Sequence, residues 1–127
     1  MKQVKFEESS LGTLLSVMTN DQLDELKFGV IGFDTECLVK IYNKYESEAT
    51  GLSVQSVIDT DLFLAVAICM NNFLIAQRFE DALDETVELD DTIDYVLTFK
   101  MKPTRVKLRL ISNPMLAFRF VCVLRSN

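Results

Sequence analysis

Ile93-Asp94-Tyr95-Val96-Leu97-Thr98-Phe99-Lys100-Met101 carries an apolar side chain at every second residue, and that alternation decides how the chain is organised. A period of two places one row of side chains on one face of a strand. The pattern returns twice. Val106, Leu108 and Leu110 interleave with Lys107 and Arg109, and after Asn113-Pro114 the set Leu116, Phe118, Phe120, Cys122 and Leu124 repeats it. Three strands with short connections read as an antiparallel meander. Upstream, residues 28–33 and 37–42 are also β-rich, and Asp34-Thr35-Glu36 between them suits a hairpin.

The stretches between and before these strands have a different period. Residues 43–70 break into short polar and apolar pieces, which predicts short helices and loops. Phe73, Ala76, Phe79 and Leu83 then fall near one face of a longer helix. At the start of the chain Ser9-Ser10 is an N-cap pair ahead of Leu11, Leu14, Leu15 and Met18 at helical spacing. Thr19-Asn20-Asp21 interrupts that helix, and residues 22–26 form a second short turn. Helices do not alternate with strands, so a doubly wound sheet is excluded. The pattern predicts an α+β fold, a five-stranded antiparallel sheet with helices on one face and a helical N-terminal cap. The helical middle must cross from the second strand to the third over a face of the sheet, leaving a pocket beneath it.

Composition narrows the function classes. At 127 residues and 49% hydrophobic content the chain suits one domain, residues 1–127, divided into a cap over 1–27 and a core over 28–127. A net charge of -6 with a pI near 4.6 opposes binding to nucleic acid or anionic membranes. The polar start MKQVKFEESS is not a secretory signal, and the apolar run over 62–70 is far too short to span a membrane, so a cytoplasmic protein is expected. Cys37, Cys69 and Cys122 are widely spaced, in no metal-ligand pattern, and odd in number, which predicts free thiols in a reducing compartment. With no histidine, Ser-His or Cys-His nucleophile activation and histidine metal sites are absent. No phosphate-cradling glycine loop is visible either, so an enzyme is not expected.

Tyr42, Glu46, Thr50 and Cys69 lie in or beside the crossing. Taken singly, Cys69 is a small core hydrophobe, Glu46 an exposed acid and Tyr42 a strand-end aromatic with a wet hydroxyl. Together they supply a thiol able to hold an acyl group, with a phenol and a carboxyl group able to bind one.

These residues, with Gln22-Leu23-Asp24, Phe28-Gly29, Tyr42-Asn43, Thr50-Gly51, Val66-Ala67 and Met101 through Pro103 followed by Thr104 and Val106, give the chain its resemblance to the photoactive yellow protein family. The resemblance covers essentially the whole chain. It implies a PAS fold and a blue-light receptor whose cofactor is p-coumaric acid in a thioester with cysteine. Carried over by position, it makes Cys69 the chromophore-bearing residue and Tyr42 and Glu46 hydrogen-bond donors to the phenolate. Thr50 becomes the hydroxyl behind Tyr42, and Met101 the methionine associated with thermal recovery. Leu52, Ile68 and Leu97 depart from the pattern, replacing a pocket-covering arginine, a proline and an aromatic ring.

Such a site needs hydrogen bonds, because a phenolate buried without a cation is costly and no Lys or Arg lies between Lys44 and Arg78. Tyr42 can donate, and Glu46 can donate only while protonated, a state that burial favours. The implied mechanism has light isomerise the coumaroyl double bond and the Glu46 proton move to the phenolate. The unpaired carboxylate then loosens the cap held by Phe6, Leu14, Leu15 and Met18, which changes the surface offered to a downstream signalling protein. The alternative is a chromophore-free PAS module for protein interaction or small-ligand sensing. A homodimer through opposite patches, the acidic stretch 80–94 and the basic set Lys100, Lys102, Arg105, Lys107 and Arg109, is a further option. Taken alone, that basic set reads as a solvated sheet edge.

Overall fold

The computed structural model describes residues 3–98 and 102–125. Five strands, β1 (Gly29–Phe33), β2 (Val39–Tyr42), β3 (Leu89–Leu97), β4 (Thr104–Ser112) and β5 (Arg119–Arg125), form one sheet in the order β2-β1-β5-β4-β3. Every pairing is antiparallel. The last strand is therefore central, with Ile31 opposite Val121 on one side and Leu110 opposite Val121 on the other. Because β2 and β3 are the two edges, the chain between them must traverse the full width of the sheet.

That traverse contains α3 (Lys44–Thr50), α4 (Val54–Val57), a π-helical turn at Leu62–Val66, a 3-10 turn at Ile68–Met70 and α5 (Ala76–Glu85). It packs on one face, where Phe33, Phe63 and Phe79 join Leu108, Leu110, Val121 and Val123 in the larger apolar core. The N-terminal cap, α1 (Leu11–Val17) and α2 (Asn20–Asp24), covers the opposite face. There Phe6, Leu11, Leu15 and Leu23 pack on Phe28, Val30, Ile111, Phe120 and Cys122. Leu14 and Met18, both expected to hold the cap, are only partly buried, while Leu11 is fully buried.

Local chemistry explains where boundaries differ from the sequence expectation. Strand β2 begins at Val39 rather than 37 because Asp34 Oδ1 accepts the Glu36 and Leu38 amides at 2.9 and 3.0 Å, and Cys37 adopts a left-handed φ of 67° to close the turn. Helix α5 starts only at Ala76, since Asn72 Oδ1 takes the amides of Leu74 and Ile75 at 3.0 and 3.2 Å. Phe73 consequently lies in the preceding turn, 83% exposed, and not on the buried helix face. Ser10 gives no side-chain cap to α1, whereas Thr19 and Gln22 form a reciprocal capping box on α2. In the closing strand, Leu116 and Phe118 belong to the turn. From Arg119 onward alternate residues serve opposite faces, so β5 is buried on both.

Charge segregation in the β3–β4 hairpin is resolved within the chain. The register sets Asp94 opposite Lys107, and these pair at 2.9 Å, while Asp91 pairs with Arg78 at 2.9 Å. Arg109 departs from the solvated-edge expectation. It is buried, grips both Asp90 carboxylate oxygens, and donates to the Phe6 and Glu8 carbonyls at 2.9 and 2.8 Å. Arg78, Lys107 and Arg109 thus each have an acidic partner within the chain.

Candidate functional site

A cavity of about 310 Å³ opens between α3, the π-helical and 3-10 turns, and the ends of β3, β4 and β5. Tyr42, Glu46, Thr50 and Cys69 all line it, joined by Val66, Ala67, Met70 and Leu97. The structure thus brings four of the five sequence-selected residues to one place. Met101, the fifth, lies outside the described residues.

Each side chain is positioned by its own element. Tyr42 ends β2. Asn43 caps α3, accepting the Glu46 amide at 3.2 Å and the Val30 amide at 3.0 Å through Oδ1. Its Nδ2 donates to the Leu23 and Phe28 carbonyls, both at 3.0 Å, so the site helix is tied directly to the cap. One turn into the helix Glu46 faces inward, and Gly29 makes that possible, because a side-chain carbon there would collide with Glu46 Oε1. Cys69 lies in the 3-10 turn, after Asp61 has capped the π-helical turn by accepting the Phe63 and Leu64 amides. Its carbonyl accepts Tyr95 Oη at 2.6 Å and Asn72 Nδ2 at 3.1 Å, which fastens the loop to β3.

Tyr42 Oη and Thr50 Oγ1 are 2.7 Å apart, and the single Thr50 hydrogen is directed to the Glu46 carbonyl at 3.0 Å. Tyr42 is therefore the donor of that pair. Burial pushes the Tyr42 phenol up to about 12; the Thr50 bond pulls it down, the Glu46 carboxylate raises it and Arg125 lowers it. Tyr42 accordingly remains protonated, hence able to donate, throughout the neutral range.

Sequence reasoning missed the charge balance. No cation was expected near Glu46, yet Arg125 from the end of β5 donates to both its carboxylate oxygens at 2.7 and 2.9 Å. The side chains are 15% and 4% exposed, respectively. Burial works against the Arg125 charge, but the Glu46 hydrogen bonds and charge outweigh it and hold its pKa above the ordinary value. The signal was a lone charge ending the row Val121, Val123, Arg125. The three departures from the family pattern lie in different places. Leu97 does line the cavity, but Ile68 points outward, 65% exposed, and Leu52 packs on the neighbouring core without lining it. Cys37 and Cys122 lie away from the site, and burial raises both thiol pKa values.

A sheet of this order, with a helical crossing over a ligand-sized cavity, defines a PAS domain. The PAS domain of an HTR-like protein from Haloarcula marismortui shares the fold with a TM-score of 0.61 over 91% of this chain and 96% of that one, at 11% identity. Closer likeness comes from two photoreceptor sequences. The photoactive yellow protein of Rhodothalassium salexigens is 31% identical over 110 residues, 87% of each chain. The photoactive yellow protein domain of the sensor histidine kinase Ppr from Rhodospirillum centenum matches with a TM-score of 0.80 and 30% identity, over 90% of this chain and 98% of that domain. The chain belongs to the photoactive yellow protein family of PAS-domain photoreceptors. No general family model matches it.

Proposed function

We propose that the chain is a blue-light sensor that carries p-coumaric acid as a thioester on Cys69. The observation that supports this reading most strongly is the convergence of Cys69, Tyr42, Glu46 and Thr50 on one cavity of about 310 Å³, within the roughly 300–1,000 Å³ usual for small-molecule sites. The donor set fits the group. Cys69 supplies the thiol, apolar walls at Val66, Ala67 and Leu97 suit an aromatic ring, and Tyr42 supplies a hydroxyl proton for an oxygen at the far end. When bound, the coumaroyl group supplies visible absorption and a double bond that light isomerises.

The residues of the chain then do the rest. Turning the Tyr42 hydroxyl hydrogen toward a ligand oxygen frees a Tyr42 lone pair, which the Thr50 hydrogen can fill by turning away from the Glu46 carbonyl. No heavy atom needs to move. Any rearrangement that leaves Glu46 with an uncompensated buried charge is costly, and looser packing relieves that cost. A hydrogen-bonded connection outward runs from Glu46 along α3 to Asn43 and from Asn43 to Leu23 in α2. Release of the cap is therefore the proposed output, read by a downstream signalling partner, and Met101 is proposed to assist recovery.

The test is to treat purified protein with activated p-coumarate and record intact mass and visible absorption. One coumaroyl adduct with a visible band, both lost in Cys69→Ser, is the expected result. A reactive thiol that never acquires the adduct overturns the proposal. A second reading, a chromophore-free interaction module, draws on the exposed apolar side chains Leu64, Ile68, Phe73 and Leu74 around the same turn. It requires solution mass that rises with concentration, or a captured partner, in protein that takes no adduct.

A further inference from the structure

Arg119, at the start of β5, is a buried cation that its surroundings do not neutralise. It is 5% exposed, yet among the described residues it pairs with no carboxylate, whereas Arg78, Arg109 and Arg125 each do. A buried charge without a counter-ion is costly. The Phe33 and Phe79 rings, with centroids 4.6 and 5.9 Å from the guanidinium carbon, offset part of that cost. Its hydrogen bonds are also incomplete. Nη2 donates to the Asp34 carbonyl at 2.7 Å and lies 3.5 Å from Cys37 Sγ, while Nε is buried without an acceptor and Nη1 has none among the described residues.

Arg119 lines two cavities, and their charges differ. In the larger, of about 410 Å³, Asp61 and Glu80 share the wall and repel an anion. The smaller, of about 240 Å³, lies between the end of α5 and the turn from β4 to β5, and among its described lining residues Arg119 alone is charged. Ser112 in the same lining is also 5% exposed, and its hydroxyl has no partner among the described residues. Thr35 and Thr86 add hydroxyls, and Leu83, Val87 and Leu116 supply apolar walls. Although α5 ends here, the Leu83 and Ala82 carbonyls are occupied by the Thr86 and Val87 amides.

We infer that this smaller cavity is a second ligand site, which takes a small carboxylate with an apolar body and holds it through the Arg119 guanidinium. The carboxylate neutralises the buried charge and accepts from the open arginine donors and from Ser112. Its volume, below the roughly 300–1,000 Å³ of drug-sized sites, keeps the ligand small. The site shares no lining residue with the Cys69 cavity, so it does not depend on the light-sensor reading.

The probe is benzoate, with benzamide as the neutral comparison, each titrated at neutral pH and constant ionic strength into nitrogen-15-labelled protein. Benzoate should shift the Arg119 Nε–H resonance and the amides of residues 112–117, and should raise the thermal midpoint as it saturates. Benzamide should bind about tenfold more weakly or worse, as should benzoate to Arg119→Met. Ala117→Trp, which fills the mouth of the cavity from an exposed position, should weaken benzoate to the same degree. Circular dichroism checks each fold, and if Arg119→Met does not fold, Ala117→Trp and the wild-type resonances still decide. An unmoved Arg119 resonance, equal affinities for benzoate and benzamide, full affinity in Ala117→Trp, or shifts confined to residues around Cys69 would each overturn the inference. A coumaroyl adduct on protein that binds no benzoate would reject this site and leave the light-sensor reading standing.

Discussion

Arg109 and Arg125 occupy opposite faces of the sheet, and both hold a carboxylate, yet they are used differently. On the cap face Arg109 spends four hydrogen bonds, two on Asp90 and two on the Phe6 and Glu8 carbonyls, and it lines none of the described cavities. On the pocket face Arg125 spends two on Glu46 and borders a cavity. Arg109 fastens one segment to another with four of its five donors, whereas Arg125 neutralises an acid at the wall of a cavity. The family resemblance pointed to the pocket residues, but only the packed sheet shows that both faces are governed by arginine.

The largest expected effect breaks the pocket side of this comparison. Arg125→Gln strands the Glu46 carboxylate and should cost about 3–5 kcal/mol in urea unfolding, much of it restored in Glu46→Gln/Arg125→Gln. No restoration would mean that Arg125 acts through packing and not through charge. On the cap face Arg109→Gln should cost about 2 kcal/mol, since Asp90 is partly solvated and the Phe6 and Glu8 carbonyls can reach water. The sharper readout there is amide exchange, which should accelerate over residues 3–26 and leave α3 protected.

A third prediction concerns alkaline pH. The folded Tyr42 pKa, at about 12, lies above its unfolded value near 10, so the folded state holds this proton more tightly. That contribution is fully present below pH 10 and is lost as pH rises toward 12. Over this window wild-type stability should fall by about 2 kcal/mol more than that of Tyr42→Phe. The smallest effect is Thr50→Val, about 1 kcal/mol in stability. Once Tyr42 ionises, the Thr50 hydroxyl can turn to donate to the phenolate, which lowers the Tyr42 pKa, so its loss should shift phenol ionisation, followed in the ultraviolet, to still higher pH.

What could be read from the sequence follows from which interactions are local. Strands β3 and β4 and the hairpin at Asp34 were legible because period-two patterning and turn chemistry operate within a few residues. Tyr42, Glu46 and Thr50 were singled out as a group by the family resemblance, whose pattern one short segment carries. Arg125 was not, since it meets Glu46 only after β5 inserts at the centre of the sheet, 79 residues along the chain from its partner. Arg109 was misread for the same reason, as alternation with apolar neighbours normally places a charge in solvent, and here the cap covers it. Phe73 was misplaced by the Asn72 turn, a side-chain effect that helical periodicity does not register.

The central claim is that an event at Cys69 on the pocket face is felt by the cap on the other. The most direct measurement is amide hydrogen exchange of the coumaroyl-loaded protein in darkness and under blue light. Faster exchange under light over residues 3–26, reversed in the dark and absent from Asn43→Ala protein whose cap is already loosened, is the predicted result. Identical exchange in light and dark, from protein whose visible band bleaches normally, would contradict it.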